Sequence, residues 1–228
     1  MLNSLRSFFT TAGKMAAKEL PVPSKTEKAV LGMGCFWAPD GMFAAQAGVV
    51  RTRVGYAGGT TVAPTYRSIG DHTEVIEIEY DPELLKYDRI LATFWSKHDC
   101  TVQYKRQYMS LILYADQTQK EKAFESYRHQ TEQSQRKIVT EIRELKEFYQ
   151  AEDYHQKFHL KEHPAVVDKF GLRGNLVNSP LAAKLSAFVC GFGSEEELAR
   201  LSEICKFTEE QKKILRSFIG KFKISCGM

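Results

Sequence analysis

The stretch His72-Thr73-Glu74-Val75-Ile76-Glu77-Ile78-Glu79-Tyr80 carries the clearest structural signal in this chain. Its residue types alternate along the chain, which is typical of a β-strand whose two faces meet different environments. One face carries Glu74, Ile76, Ile78 and Tyr80, and the other carries Val75, Glu77 and Glu79. We therefore predict a strand over His72 to Tyr80, with the carboxyl group of Glu74 on the same face as the isoleucines.

Further strands and helices are predicted on both sides of this strand. Short apolar or alternating runs predict strands at Ala29–Leu31, Val49–Tyr56, Tyr108–Tyr114 and Ile138–Ile142. Helical spacing of apolar residues predicts helices from Pro39 onward, over Leu84–His98 and over Thr118–Gln135. The order β-α-β-β-α-β-α-β predicts an α/β fold, specifically an α+β arrangement with a ferredoxin-like mixed sheet and helices packed on it.

The C-terminal part of the chain has a different pattern. Helices are predicted over Ser179–Val189, Ser194–Ile204 and Thr208–Phe222, the last two with capping-box spacing at their starts. We interpret this part as a small helical appendage. The chain then divides into a leader (1–27), a main domain (28–165) and a helical C-terminal extension (166–228).

The N-terminal residues admit two interpretations. Residues 1–18 contain Arg6, Lys14 and Lys18 but no acidic residue, since the first one is Glu19. This composition is typical of a mitochondrial transit peptide and equally of a short disordered leader. We therefore expect a cytoplasmic protein, with a mitochondrial location as the alternative.

Composition excludes several classes of function. The chain has 228 residues, 43% of them hydrophobic, which is enough for one sizeable core with an appendage. Its net charge of +4 is mild and both signs are mixed, which argues against a nucleic-acid-binding surface. No apolar run approaches the roughly 20 residues that span a bilayer. We expect a soluble monomer that binds neither nucleic acid nor membrane.

The cysteine content favours reactive thiols over a disulfide framework. The five cysteines are Cys35, Cys100, Cys190, Cys205 and Cys226. An odd number of cysteines in a chain of this size, without a secretory signal, is unlike a disulfide-stabilised secreted protein. Redox-active thiols are compatible with this number.

Cys35 is the first candidate for chemistry. It lies in Gly34-Cys35-Phe36-Trp37, at a predicted turn from a strand to a helix. The amides at the start of a helix stabilise a thiolate, which is the nucleophilic form of cysteine. The two aromatic residues that follow would form an apolar wall beside the sulfur. A buried cysteine that acts as a small apolar side chain is the alternative interpretation.

Glu74 is the second candidate. A carboxyl group among apolar residues keeps its proton at higher pH and is then able to act as a general acid. The alternative is that the start of the strand frays and exposes Glu74 to solvent.

These residues belong to an ordered set of motifs that resembles a known family. The motifs are Gly34-Cys35-Phe36-Trp37, Val54–Gly59, Pro64-Thr65-Tyr66, His72–Val75, Gln107-Tyr108, Tyr80-Asp81-Pro82 and Glu152–Lys157. They resemble the type A peptide methionine sulfoxide reductases, which are specific for the S epimer of the sulfoxide. The resemblance covers roughly residues 28 to 160.

The resemblance implies a role for each site residue. Cys35 attacks the sulfoxide sulfur and is left as a sulfenic acid, and Glu74 protonates the sulfoxide oxygen. The hydroxyl groups of Tyr66 and Tyr108 bind that oxygen. Phe36 and Trp37 hold the methyl group of the substrate. The substrate is methionine sulfoxide, either in an oxidised protein or as the free amino acid.

The resemblance also implies how Cys35 is regenerated. A second thiol condenses with the sulfenic acid, and thioredoxin reduces the resulting disulfide as an external reductant, so no bound cofactor or metal is required. The candidates for this resolving cysteine are Cys190, in a Cys-Gly-x-Gly pattern, and Cys226, near the C-terminus. Cys205 and Cys100 are weaker candidates.

The sequence departs from the family pattern between His98 and Gln107. The loop is about six residues shorter, and Gln103 takes the place where the family has an aspartate near the active site. This departure and the unusual helical tail leave a second hypothesis open, namely a weakened relative that senses oxidised methionine. A thiol peroxidase-like enzyme is a third hypothesis.

His155, His159 and His163 follow one another at helical spacing, as metal ligands sometimes do. Pro164 follows directly, and no carboxylate or cysteine completes a ligand set. We interpret them as surface or packing histidines.

Overall fold

A mixed sheet forms the centre of the protein, for which the computed structural model describes residues 16–172, 174 and 176–221. Its strands are β1 (Glu27–Met33), β2 (Val49–Ala57), β3 (Thr73–Tyr80), β4 (Ser110–Tyr114), β5 (Glu141–Glu144) and β6 (Phe148–Gln150). Their order across the sheet is β5-β4-β1-β3-β2-β6, and only β4 and β5 run parallel to each other. The predicted fold class is confirmed.

The helices lie on this sheet and in a separate C-terminal layer. They are α1 (Trp37–Ala44), α2 (Tyr87–Lys97), α3 (Gln117–Gln133), α4 (Phe158–Lys161), α5 (Pro164–Lys169), α6 (Pro180–Val189), α7 (Glu195–Cys205) and α8 (Glu209–Arg216). Within the ranges given above, no helix combines the length and the apolar character that crossing a membrane requires.

Some boundaries differ from the predicted ones, and three short elements were not predicted. Strand β4 begins at Ser110 rather than Tyr108, because Arg106–Tyr108 forms a short 3-10 turn instead. Elements β6, α4 and α5 have only three to six residues each, which is too short for a periodic pattern to emerge. Pro164 separates α4 from α5 by starting the second helix.

The two faces of β3 are those predicted from the alternation. Ile76 and Ile78 are fully buried and belong to the same apolar cluster as Phe94 of α2. Val75 points to the other side, where it packs with Leu111 of β4. Both faces of the central strand are therefore covered.

The acidic residues on the second face of β3 are paired across to strand β2. Arg51 lies opposite Glu79 and donates to it at 2.8 Å, and Arg53 lies opposite Glu77 and pairs with it in the same way. Cross-strand pairs of opposite charge stabilise a sheet. They explain how two glutamates are accommodated on a largely buried strand.

The C-terminal helices have their own apolar core. It is formed by residues of α4 to α8, including Leu160, Phe170, Phe188, Leu201 and Leu215. The predicted helical appendage corresponds to helices α6 to α8 of this layer, and the capping box predicted at Thr208 and Gln211 is present in full.

Residues at the start of the described chain also belong to this layer. The amide of Ala17 donates to the carbonyl of Phe170 at 3.2 Å, and that of Lys18 donates to the carbonyl of Cys205 at 3.1 Å. The Glu19 carboxylate accepts hydrogen bonds near the start of α6, and Leu20 is buried in the same core. Part of the segment assigned to a leader is thus integrated into the C-terminal layer.

Helices α1 and α6 connect the sheet to the C-terminal layer through small residues. Ala44 of α1 packs against Ala183 and Ala187 of α6. A Cβ atom added to Gly41 would lie only 2.5 Å from the sulfur of Cys190, so the two helices are in close contact there. Any side chain at position 41 would push them apart.

We expect Gly41→Ala to destabilise the protein by about 1–2 kcal/mol in urea unfolding, because the cost of overpacking exceeds the gain of roughly 1 kcal/mol in helix propensity. The reference variants are Cys190→Ala alone and Gly41→Ala with Cys190→Ala. The double variant should regain part of the loss, since the sulfur is absent. A Gly41→Ala protein as stable as the wild type would show that the interface is not tight.

Candidate active site

Cys35 lies at the turn between strand β1 and helix α1. Gly34 has a φ of 86°, a left-handed conformation that glycine adopts without strain, and it lets the chain turn sharply after Met33. Phe36 is the N-cap residue of α1, so Cys35 stands just before the first turn of the helix. Its side chain is partly exposed. The predicted strand-to-helix position, which favours a thiolate, is therefore the observed one.

Glu74 is buried beside this turn. Its side chain is 2% exposed, so the start of β3 does not fray into solvent. One carboxyl oxygen, Oε2, accepts from the backbone amide of Phe36 at 3.2 Å, and the other, Oε1, accepts from Nε2 of Gln107 at 2.8 Å. Because Phe36 follows Cys35 directly, this hydrogen bond fixes the carboxyl group next to the residue that carries the thiol.

Gln107 is a site residue to which the sequence interpretation gave no role. The shortened loop places Gln107, rather than Gln103, on the Glu74 carboxyl group. The side chain of Gln103 is exposed and donates to the carbonyl of Tyr104. The only signal for Gln107 was its position directly before Tyr108. A different residue of the loop thus supplies a polar side chain at the acid.

Tyr66 and Tyr108 are neighbours at the same site. The Tyr108 hydroxyl group lies near enough to Tyr66, Glu74 and Cys35 for each of them to affect its ionisation. Burial raises the pKa of Tyr108, and negative charge on Glu74, Tyr66 and Cys35 raises it further. Tyr108 therefore keeps its proton well above neutral pH and remains able to donate a hydrogen bond. Cys35, Glu74 and Tyr66 are thus all close to Tyr108.

Phe36 and Trp37 form an aromatic cluster beside the turn. The ring of Trp37 stacks on Phe158 with 3.8 Å between ring centroids and 4° between the planes. Phe36 is 1% exposed and contacts the ring of His155 at 5.1 Å in an edge-on arrangement. The two predicted substrate-binding aromatics therefore sit in a rigid apolar wall.

His155 orients Trp37 within this wall. It is 2% exposed, and its Nδ1 atom accepts a hydrogen bond from the indole Nε1 of Trp37 at 3.2 Å. Burial lowers the pKa of His155, while the charge of Glu152 opposes this change. An acceptor at Nδ1 requires the neutral ring with its proton on Nε2. The sequence predicted a surface or packing role for His155, and the structure shows that it packs and also orients Trp37.

Glu152 fixes the position of the chain segment that bears Tyr66. Its carboxylate accepts from the backbone amide of Tyr66 at 2.9 Å and from the hydroxyl group of Tyr56 at 2.7 Å. Burial tends to raise the pKa of Glu152, but these hydrogen bonds outweigh it and hold the pKa below its usual value. Glu152 is thus an ionised anchor that orders the site.

The three histidines at helical spacing have different partners. His155 belongs to the aromatic wall, and His159 contacts Glu162 at 2.9 Å between Nδ1 and Oε2. The ring of His163 packs against Phe218, near the end of the C-terminal layer, at 5.0 Å. Within the part of the chain that the structure describes, no group of three potential ligands is arranged for a metal ion.

Three of the other cysteines, Cys100, Cys190 and Cys205, are buried. Cys190 is 1% exposed at the end of α6, with its sulfur facing Gly41 of α1. Cys205 is buried in the C-terminal core, and burial raises its pKa to about 11. Burial also raises the pKa of Cys100. Cys226 lies outside the described residues.

Comparisons with known proteins agree with this geometry. A family model for peptide methionine sulfoxide reductase matches residues 27–175. The peptide methionine sulfoxide reductase of Drosophila melanogaster is 42% identical over 189 residues, which is 81% of this chain and 77% of that protein. The MsrA protein of Methanococcus maripaludis strain C6 is 40% identical over 155 residues, or 64% of this chain and 99% of that protein.

A solved structure supports the same assignment. Methionine sulfoxide reductase A of Corynebacterium diphtheriae is 31% identical, with a TM-score of 0.56 over 67% of this chain and 90% of that chain. The family match ends at residue 175, so helices α6 to α8 lie beyond it.

We expect the fluorescence of Trp37 to report the ionisation of His155. In a Trp95→Phe background, emission should stay constant from pH 8 down to about 6.5 and change below it, because the protonated ring no longer accepts from the indole. The lowered pKa of His155 means that the unfolded chain binds the proton first, so unfolding free energy should fall as pH falls below 6.5.

The matched control is His155→Gln in the same background, since an amide accepts from the indole without titrating. It should abolish the emission change and reduce the acid loss of stability. A persisting emission change would show that another group is responsible.

Proposed function

This chain belongs to the peptide methionine sulfoxide reductase family, and we propose that Cys35 reduces methionine-S-sulfoxide, in oxidised proteins and as the free amino acid. The enzyme is an oxidoreductase. The single observation that carries the proposal for the chemistry is the buried Glu74 carboxyl group, hydrogen-bonded to the amide that follows Cys35.

The first half-reaction transfers one oxygen atom. The Cys35 thiolate attacks the sulfoxide sulfur while Glu74 gives its proton to the sulfoxide oxygen, which is a poor leaving group when charged. The protonated oxygen then forms a bond to the Cys35 sulfur as the new sulfur–sulfur bond and the sulfur–oxygen bond of the substrate break. Methionine leaves, and Cys35 is left as a sulfenic acid. The substrate sulfur is reduced by two electrons and the Cys35 sulfur is oxidised by two.

Two hydroxyl groups assist this step. Tyr66 and Tyr108 donate to the oxygen as negative charge develops on it, and their fixed positions require little reorganisation during the reaction. The raised pKa of Tyr108 supports this role, since only the protonated phenol donates.

The aromatic wall explains why the substrate is a thioether oxide rather than a peroxide. Phe36 and Trp37 offer an apolar contact for the methyl group on the sulfoxide sulfur. A peroxide has no such group, so the wall would give a thiol peroxidase no advantage. Despite the shortened loop, Gln107 provides a polar side chain at Glu74, which favours an enzyme over a sensor.

In the second half-reaction, a thiol condenses with the sulfenic acid, releasing water and forming a disulfide. We propose Cys226 as this thiol. Cys190 is 1% exposed and its sulfur lies against Gly41, on the second turn of α1, so it would have to leave the α1–α6 interface to reach Cys35. Thioredoxin then exchanges its dithiol with the disulfide and restores both cysteines.

Counting thiols in a single turnover tests the first half-reaction. Reduced protein without added reductant should lose two thiols with the S epimer and none with the R epimer. Cys35→Ser should lose none, and Glu74→Gln should react at least about 100-fold more slowly, since it cannot supply the proton.

The same measurement separates the rival functions. Loss of thiols with hydrogen peroxide but not with sulfoxide would establish a thiol peroxidase. Binding of the S epimer without any loss of thiols would establish a sensor.

Thioredoxin-coupled turnover tests the identity of the resolving cysteine. We expect Cys226→Ser to abolish coupled turnover but to retain one single turnover that ends as a sulfenic acid. Cys190→Ser is the matched control and should retain coupled turnover. The reverse pattern would assign the resolving role to Cys190, and loss in both variants would indicate a relay.

A further inference from the structure

Helix α6 carries a buried lysine that reaches the end of α1. Lys184 is 3% exposed, and its Nζ atom donates to the carbonyl oxygen of Ala44 at 2.8 Å and to that of Gln46 at 3.0 Å. The last carbonyl groups of a helix have no partner within the helix and carry its partial negative charge. Lys184 therefore supplies both hydrogen bonds and a compensating positive charge at the carboxyl end of α1.

The groups around Lys184 leave it as a cation at neutral pH. Burial lowers its pKa to about 8, and Glu197, 3.8 Å away on α7, opposes this change, while Arg200 adds to it. Lys184, Arg200 and Asp81 line one cavity, which has a volume of about 210 Å³. The ammonium group of Lys184 is thus desolvated but remains mostly protonated at pH 7. The cavity beside it leaves room for the larger guanidinium group of an arginine at this position.

The short length of α1 links this cation to the thiol. The helix has only eight residues, and Cys35 stands just before it. From Cys35 to the capped carbonyl groups the distance along the helix is therefore roughly 15 Å. At this distance the charge of Lys184 still favours a negative charge on Cys35 through the protein interior. In addition, neutralising the negative end of α1 leaves the positive end at Cys35 unopposed.

We propose that Lys184 is a positioning residue for the reaction, in that it holds the carboxyl end of α1 and favours the Cys35 thiolate through the helix. This inference rests on the proposed function, in which that thiolate is the nucleophile. It gives the helical extension, which lies beyond the family match, a direct role in the chemistry.

Alkylation of Cys35 measures the effect without depending on activity. The rate of reaction with iodoacetamide is followed from pH 5 to 10 by mass spectrometry of the peptide that contains Cys35. In Lys184→Met we expect the pH midpoint to rise by about half a unit and the rate at low pH to fall about threefold, from the loss of one charge at roughly 15 Å.

Three further variants separate charge from structure. Lys184→Gln keeps a donor for the carbonyl groups but not the charge, so it should shift the midpoint as Lys184→Met does. Lys184→Arg keeps the charge and should leave the midpoint within about 0.2 units of the wild-type value, since half a unit is the effect of a full charge. Lys169→Gln removes a lysine that pairs with Glu210 in the same layer and should have no effect.

The outcomes are distinct for the two proposals. An unchanged midpoint in folded Lys184→Gln, or an equal shift in Lys184→Arg, would overturn the role of Lys184. If Lys184→Met does not fold, Lys184→Gln and Lys184→Arg decide. If the variants show the expected midpoint shifts but the wild-type protein does not reduce the S epimer, the proposed function is overturned. The link between Lys184 and Cys35 then remains intact.

Discussion

The hydrogen bond from the backbone amide of Phe36 to the carboxyl group of Glu74 joins two segments that are 38 residues apart. It exists because β1 and β3 are antiparallel neighbours, which places the end of one strand beside the start of the other. The acid, in β3, and the thiol, in the short turn directly after β1, are therefore positioned by two paired strands. A site built on paired strands holds its geometry more precisely than one built on mobile connections.

Two buried lysines fix the helix that follows Cys35. Lys157 donates to the carboxylate of Asp40, at 2.8 Å, and to Thr52 on the neighbouring strand, while Lys184 holds the last carbonyl groups of the same helix. A buried ammonium group is costly unless all its surroundings compensate for it. Both lysines meet this condition through oxygen atoms of α1 or its neighbours. The short catalytic helix thus depends on two other parts of the chain for its position.

The alternation in β3 predicted the strand and the face on which Glu74 lies, because a period of two is a local property of the sequence, but it left the burial of Glu74 open. The position of Cys35 at a turn from a strand to a helix was also predicted from local signals, and the structure has it there. The hydrogen bonds of Gln107 to Glu74 and of His155 to Trp37 were not predicted, since each joins residues distant in sequence. No periodicity reports such contacts. Likewise, the extension was recognised as helical and as the source of candidate resolving cysteines, but its contact with the end of α1 through Lys184 was not predicted.

The hydrogen bond from Lys18 to Cys205 has a consequence for the order of events during synthesis. Residues 17–20 leave the ribosome early, yet their partners in α6 and α7 are made only after the whole sheet. Closing so long a loop is slow, because the intervening chain loses conformational entropy before the contacts between its two ends form. The C-terminal layer therefore assembles last. Until then α1 lies on the newly made sheet without its contacts to α6.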